Sequence, residues 1–362
     1  MSGMESAGAP ATRTAGVVGL GLIGGSVAHA LTHMGFAVGG IDNDPAIVER
    51  AVAEGVISQA GLPADATMTI VATPVDAIVS GVERALAETS GWVTDTGSVK
   101  GPIADAVSDP RFVPSHPMAG SEQSGLDGAR GELFRGAAWV ISPTPATSDE
   151  TFAAMHDFVT ALGADPLTLA PADHDRMVAT VSHVPHLTAA ALMNVAATRS
   201  DEHAAMLRLA AGGFRDMTRI AAGSPSIWPS ICVQNGEAIT EALDEVIERL
   251  QGLRAAVSSS DTDGIEASLR TARDARINLP ASATLPPGLA ELRVRIKDES
   301  GQLAAITGLA AELDVNIFDM EIAHSAEGPT GVIVLLVAVD AADVLSEGLK
   351  ANDYRPSIRP LS

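Results

Sequence analysis

Along the first half of the chain, short apolar runs alternate with stretches of helical spacing. Strand-like runs occur at Gly16–Gly19, Ala37–Ile41, Met68–Ala72, Trp92–Thr94, Phe112–Pro114 and Ala137–Ile141. Between them lie helix-length segments such as Leu22–Gly35, Pro45–Glu54 and Val75–Ala87. Such alternation predicts βαβ units around a parallel sheet over residues 14–168. From about Pro171 to Leu279 strand signals vanish and Ala/Leu-rich helical periodicity takes over, as in Ile239, Leu243, Val246, Ile247 and Leu250. Ser224 followed by Pro225 reads as an N-cap and first helical position. Residues 169–280 are therefore expected to be all-α. A region this apolar buries a face in an internal core or against a second copy of itself, and a homodimer is the expectation.

Residues 281–289 read as a linker, since 280–288 are PASATLPPG. Across 290–362 the runs Leu292–Ile296, Gln302–Leu313, Val315–Ala323, Gly331–Val339, Ala341–Leu349 and Asp353–Ile358 give β-α-β-β-α-β, the ferredoxin-like plan. The length of 362 residues accommodates this division into several domains.

Composition narrows the function classes. The chain is 46% hydrophobic and 19% charged, with no apolar run long enough to span a bilayer. A formal charge of −22 argues against nucleic acid and anionic membrane surfaces as partners, since both need a basic footprint. Only three lysines are present, Lys100, Lys297 and Lys350, so an anionic ligand must be held by arginines, helix N-termini and backbone N–H groups. The first dozen residues are small and polar and read as a loose tail, not a signal peptide. A single cysteine, Cys232, in an apolar helical context fits a reducing, cytoplasmic compartment and a buried, inert role.

The clearest motif is Gly19-Leu20-Gly21-Leu22-Ile23-Gly24, a GxGxxG loop that follows an apolar strand and opens an apolar helix. Asp42 lies eighteen residues after Gly24, at the end of the second strand run. Together these contexts mark a Rossmann dinucleotide-binding domain. Gly19 permits the tight turn, Gly21 lets backbone approach a pyrophosphate, and Gly24 lets helix and strand pack closely. Leu22 and Ile23 complete the candidate contacts at the helix start. Asp42 accepts from ribose hydroxyls and repels a 2′-phosphate, so NAD is expected over NADP. Thr73 and Pro74, at another strand end, either line the cofactor crevice or form a plain loop.

Two further segments end at the same sheet edge, TDTGSVK at 94–100 and PSHPMAGSE at 114–122. They allow Ser98 and His116 to converge on the cofactor. A histidine at a strand end, held between Pro114 and Pro117, suits a proton acceptor near neutral pH. In the helical region, GGFRDMTRI at 212–220 is where glycines and paired arginines cluster. Arg219 and Arg215 are candidate anion clamps, although Arg219 could instead pair with Asp216 across one turn. His183 and His186 share i,i+3 spacing, but no cysteine and no H-E-x-x-H pattern accompany them, so no metal is expected.

In this order the segments GLGLIGGS, ID, VATPVD, TDTGSVK, SHPMAGSEQSG, SHVPH and GGFRDMTRIAAGSPSIW resemble the prephenate dehydrogenase family over residues 14 to about 280. The C-terminal stretches DESGQL at 298–303 and VNI at 315–317 resemble an ACT regulatory domain. The resemblance implies oxidation of prephenate by hydride transfer to NAD with loss of CO2, in tyrosine biosynthesis. It implies that His116 takes the hydrogen bond from the substrate hydroxyl, that Ser98 bonds that histidine and the substrate, and that Arg219 binds a substrate carboxylate. Glu122, Asp216 and Trp228 fall on positions that gate or support the pocket, His186 on one lining it, and Gly212 and Ser121 on substrate contacts. Asp298, Gly301 and Asn316 would serve tyrosine as a feedback effector, unless the unit is only a rigid dimerising module. DESG stands where DxPG is commoner. Three rivals remain: arogenate dehydrogenase, a β-hydroxyacid dehydrogenase or imine reductase, and a non-catalytic amino-acid sensor.

Overall fold

A computed structural model describes residues 13–121, 123–200, 206–278, 289–297, 299, 301–324 and 330–360. The chain divides into two compact units, Met1–Asp274 and Ala275–Ser362. The first begins with β1 (Thr14–Val18), α1 (Leu22–His33), β2 (Ala37–Ile41), α2 (Pro45–Ala53), β3 (Gln59–Ala60) and β4 (Met68–Val71). It continues through α3 (Ile78–Glu88), β5 (Trp92–Asp95), α4 (Gly101–Ala106) and β6 (Phe112–Val113). The six strands form one sheet in the order β3-β2-β1-β4-β5-β6, parallel at every pairing.

Alternate side chains of each strand feed different cores, as expected of a parallel sheet covered on both faces. Val17, Ile70 and Val113 join one cluster with Leu20, Val27, Leu31 and Phe134. Val18, Val71 and Phe112 join the other with Ile78, Val82 and Ile103. Strand β3, two residues long, had no counterpart in the hydrophobic pattern because so short a pairing leaves no alternation.

The run at Ala137–Ile141 does not extend this sheet. It forms β8 (Ala138–Ile141) in a separate three-stranded sheet, antiparallel to β7 (Ser115–Pro117) and parallel to β9 (Asp165–Thr168). Pro114, between β6 and β7, has no N–H to give a ladder, so the chain leaves the large sheet there. His116 consequently lies inside β7 opposite Val140, and not at the end of a parallel strand. Helix α5 (Asp149–Ala161) starts at Ser148, whose hydroxyl accepts from Thr151 N at 3.2 Å.

Residues beyond β9 are helical. Helix α6 (Pro171–Val178) runs through a π turn at Ala179–His183 into α7 (Val184–Ser200). There follow α8 (Gly212–Thr218), 3₁₀ turns at Arg219–Ala222 and Pro225–Ile227, α9 (Trp228–Gln234), α10 (Gly236–Ser259) and α11 (Thr262–Ile277). Ser224 does not cap an α-helix as expected. Its hydroxyl pairs with Ser226 Oγ at 3.0 Å, and Pro225 opens only a short 3₁₀ turn. Ile239 is buried, Leu243 and Val246 are half-buried, and Ile247, Leu250 and Val257 stay exposed on the single chain. Ile239 packs with Val75, Val99, Ala179 and Ile231, so an apolar seam joins the helices to loops at the sheet edge.

The second unit contains β10 (Leu289–Lys297), α12 (Gln302–Glu312), β11 (Ile317–His324), β12 (Thr330–Ala338), α13 (Val339–Ala351) and β13 (Pro356–Pro360). Its antiparallel sheet has the order β11-β12-β10-β13, and the helices add Ile306, Ala310, Leu345 and Leu349 to its core. The expected β-α-β-β-α-β order is present. Leu289, assigned to the linker from its glycine- and proline-rich neighbours, is instead the buried first residue of β10 and pairs with Ala338. The remaining linker positions, 281–288, lie outside the described residues.

Candidate active site

The nucleotide crevice is built from backbone. Gly19 has φ +87°, and a Cβ there would lie 2.6 Å from the carbonyl oxygen of Ala72. A Cβ on Gly24 would lie 1.8 Å from the carbonyl oxygen of Gly19, so α1 can cross this close to the strand only on glycine. At Gly21, by contrast, a Cβ would meet nothing within 4 Å, which leaves space for a ligand against the main chain. No side chain caps the N-terminus of α1, so the amides around Leu22 and Ile23 and the positive end of the helix dipole remain available to an anion.

Asp42 closes the loop from the other side. Its carboxylate accepts from Leu20 N at 2.7 Å and Asp44 N at 3.0 Å, and it stays partly exposed. The aspartate therefore holds the glycine loop in shape while keeping acceptor capacity for ribose hydroxyls. Thr73, just past β4, has a buried hydroxyl without a hydrogen-bond partner, and Pro74 is exposed beside it. An open glycine, an uncapped helix start, a carboxylate and an unpartnered buried hydroxyl suit a dinucleotide.

The second half of the site is built from side chains. His116 is half-buried on β7, and its Nδ1 lies 2.9 Å from Nε2 of His174 on α6. His174 is fully buried, and its Nδ1 lies 2.7 Å from Asp175 Oδ1. Asp175 also accepts from Lys100 N and Gly101 N, each at 2.7 Å, where α4 begins. Burial opposes charge on Asp175, but the His174 ring and the two amides outweigh it and hold this carboxyl below the ordinary carboxylate range. His116 is pushed well below the ordinary imidazole value, chiefly by burial. It is consequently neutral near pH 7.

Lys100 is fully buried and pairs with Asp95, also fully buried, while donating to Ser115 O at 2.8 Å. Burial draws the Lys100 ammonium down and Asp95 opposes that shift. Asp95 further accepts from Gly97 N at 2.8 Å and Ser115 N at 3.2 Å. The pair thus clamps the end of β5 to the start of β7, immediately before His116. Ser115 is fixed again by Trp139, whose Nε1 donates to its hydroxyl at 2.9 Å.

The π turn connects this network to the helical region. His174 and His183 are nine residues apart, about two and a half α-helical turns, which would set them roughly half a turn out of phase. The widened turn at Ala179–His183 changes that phase. Asn235 donates both to Asp175 O at 2.9 Å and to His183 Nδ1 at 3.2 Å. Burial draws His183 down to about 4, with Asp175 opposing. His186 stacks on Trp228 with ring centroids 3.7 Å apart, and Trp228 meets His183 edge-on at 6.1 Å. A Cβ on Gly223 would lie 3.7 Å from His186 Cε1, so the turn carrying Arg219 ends against this stack.

The sequence-derived candidates fare unequally. The Ser98–His116 hydrogen bond implied by resemblance is not formed. His174 occupies Nδ1, while Ser98 is half-buried on the loop before Lys100. Ser121 accepts from Gln123 N at 3.1 Å and shapes its own turn. Gly212, Asp216 and Arg219 are exposed, and Arg215 donates to Ala210 O at 3.2 Å. Glu122 and Asp298 lie outside the described residues. Gly301 precedes α12 with φ +97°, and Asn316 directly precedes β11. Cys232 packs in the apolar seam, where burial raises its thiol.

His174, Asp175, Lys100, Asp95 and Asn235 were missed as site residues. Asp173-His174-Asp175-Arg176 looks like a solvated charged run, and indeed Asp173 and Arg176 pair at the surface. Its two middle residues are buried, and no local pattern says so. Lys100 carried one usable signal, as one of three lysines in the chain, lying five residues after Asp95 in a motif whose other members are uncharged.

A parallel sheet with this glycine loop, a histidine pair on and beside the neighbouring three-stranded sheet and a helical second region fit a nucleotide-dependent dehydrogenase. The family model "Prephenate dehydrogenase, nucleotide-binding domain" matches residues 27–167, and "Prephenate dehydrogenase, dimerization domain" matches 170–271. A prephenate dehydrogenase of Bacillus subtilis is 32% identical over 339 residues, covering 88% of this chain and 90% of that protein. The prephenate dehydrogenase of Aquifex aeolicus, solved with hydroxyphenyl propionate and NAD+, superposes with a TM-score of 0.70 at 26% identity, over 75% of this chain and 99% of that one. The Synechocystis arogenate dehydrogenase gives 0.65 at 30% identity, over 74% and 100%. The chain belongs to the prephenate dehydrogenase family and is an NAD-dependent dehydrogenase.

Proposed function

We propose that the chain converts prephenate to 4-hydroxyphenylpyruvate and CO2, with His116 as the acceptor of the substrate's hydroxyl hydrogen bond. The observation carrying this reading is a half-buried histidine on β7 whose Nδ1 is already engaged by a fully buried partner and which is held neutral. A neutral imidazole with one nitrogen committed offers the other as a base.

Bound NAD would supply the hydride acceptor for the hydroxyl-bearing ring carbon. His116 takes the hydroxyl proton as that carbon becomes a carbonyl. The ring carbon–carboxylate bond then breaks, CO2 leaves, and its electron pair makes the ring aromatic. The oxygen ends as a phenol, so the proton lent to His116 returns to it and none is released overall. Aromatisation drives the reaction, which leaves the protein to orient, polarise and exclude water.

Arg219 is assigned to a substrate carboxylate, with Ser98 near the reacting hydroxyl. Ser121, Glu122, His186, Gly212, Asp216 and Trp228 complete the pocket in this reading. Gly19, Gly21, Leu22, Ile23, Gly24, Asp42, Thr73 and Pro74 hold the cofactor. The exposed apolar residues Ile247, Leu250 and Val257 on α10 support a homodimer, in keeping with the dimerization-domain match. The C-terminal unit is read as a ferredoxin-like ACT domain that takes tyrosine as effector through Asp298, Gly301 and Asn316. The enzyme is assigned to the cytoplasm.

Initial rates with prephenate and arogenate, each with NAD and NADP and with or without tyrosine, test the assignment. Prephenate with NAD is expected to be fastest, and tyrosine to slow it. A preference for arogenate would replace the substrate, and faster turnover with NADP would remove the role given to Asp42.

A further inference from the structure

We propose that His174 and Asp175 are positioning residues that fix the tautomer of His116, placing its ring proton on Nδ1 and leaving Nε2 bare as the acceptor. This inference rests on the reading of His116 as the acceptor of the substrate's hydroxyl hydrogen bond.

The argument runs outward from the anion. Asp175 meets three N–H directions, the Lys100 and Gly101 amides and the His174 ring, each at 2.7 Å. A carboxylate so surrounded is ionised, and an ionised oxygen 2.7 Å from His174 Nδ1 requires the proton on that nitrogen. A neutral His174 protonated on Nδ1 has a lone pair on Nε2. That lone pair faces His116 Nδ1 at 2.9 Å, so the shared proton belongs to His116 Nδ1. His116 Nε2 is then the unprotonated nitrogen, the form able to receive a hydroxyl proton. The opposite polarity would need a doubly protonated His174, a cation with no solvent exposure.

The surroundings suit a fixed device. The two rings meet edge to face with centroids 5.1 Å apart, which aligns a ring N–H with the in-plane lone pair of its neighbour. The backbone of α6 is held at Asp175 O by Asn235, so the aspartate is anchored at its main chain and at both carboxylate oxygens. As His116 gains its transient proton, Asp175 stabilises the spreading positive charge through His174, as the orienting carboxylate of a catalytic triad does.

The test uses the full-length protein and two substitutions at His174. His174→Leu removes the acceptor behind His116, whereas His174→Gln retains an amide oxygen able to accept from Nδ1. In histidine-15N-labelled enzyme without substrate, His116 should show a protonated Nδ1 and an unprotonated Nε2. His174→Leu should convert this to a mixture of tautomers, and His174→Gln should preserve it. On kcat, His174→Leu is expected to lose about 100-fold and His174→Gln at least about tenfold less, with the KM for substrate and NAD moving less than about threefold. Unfolding midpoints of both variants separate this from loss of fold. A protonated Nε2 in the wild type, or equal kcat losses in two folded variants, overturns the relay. If His116→Asn keeps full turnover, the assignment of His116 as acceptor fails, and the ring-nitrogen spectra still decide the tautomer question.

Discussion

The two parts of the candidate site, the glycine loop and the histidine network, are made in opposite ways. The nucleotide loop is main chain, drawn from residues 19–24 with one carboxylate from Asp42. The histidine network is side chain, drawn from β5, β7, α4, α6 and α9–α10, with partners 58, 75 and 60 residues apart. The first binds by leaving space and unpaired amides. The second works by leaving almost nothing unpaired, with buried Lys100, Asp95, His174 and Asp175 all hydrogen-bonded. A backbone site tolerates solvent and asks for glycine, whereas a buried polar network gives neutral imidazole chemistry but loses much if one member is removed.

Substitutions can break this contrast, and the largest effect is expected at His116. His116→Asn should lower kcat by about 10²- to 10⁴-fold, the range of general-base catalysis, while NAD affinity by titration changes little. Equal loss of NAD binding would merge the two halves. Lys100→Met should cost about 3–5 kcal/mol in denaturant unfolding, because Asp95 would remain buried without its cation. A cost under about 1 kcal/mol would mean that water enters and the pair is not closed.

Arg219→Ala sharpens the comparison from the substrate side. Its KM for prephenate should rise about 30-fold or more, as for truncation of one member of a charge pair, with the KM for NAD steady. An unchanged prephenate KM would move the clamp elsewhere.

The smallest effect concerns pH. His183 is lowered from 6.5 to about 4 in the fold, so the unfolded chain binds its proton first as pH falls. Its contribution is complete above pH 6.5 and lost as pH drops towards 4. Asp175, also lowered, adds a loss below its ordinary value of 3.8. Unfolding free energy measured against pH should therefore fall below 6.5, and His183→Gln should flatten the part between 6.5 and 4. An equally steep variant would exclude His183.

Legibility follows the same division. Gly19, Gly21, Gly24 and Asp42 could be read from spacing because a strand–turn–helix unit is local and glycine answers a local steric demand. His116 could be expected near the crevice for the same reason, although Pro114 moved it onto a second sheet that alternation alone did not reveal. His174 and Asp175 could not be read, because a charged heptad such as Pro171–Met177 looks like a surface until α4 packs on it. His183 needed the π turn as well, since regular helical phase would place it away from His174. Arg219 was conspicuous by charge, yet it is exposed on a 3₁₀ turn, so its assignment as the substrate clamp rests on resemblance.

The central claim is an oxidation coupled to loss of a ring carboxylate, and its most direct test is stoichiometry. Purified enzyme given prephenate and excess NAD should form NADH, CO2 and 4-hydroxyphenylpyruvate in equal amounts. NADH formed without CO2, or no NADH from prephenate under conditions where arogenate is consumed, would contradict it.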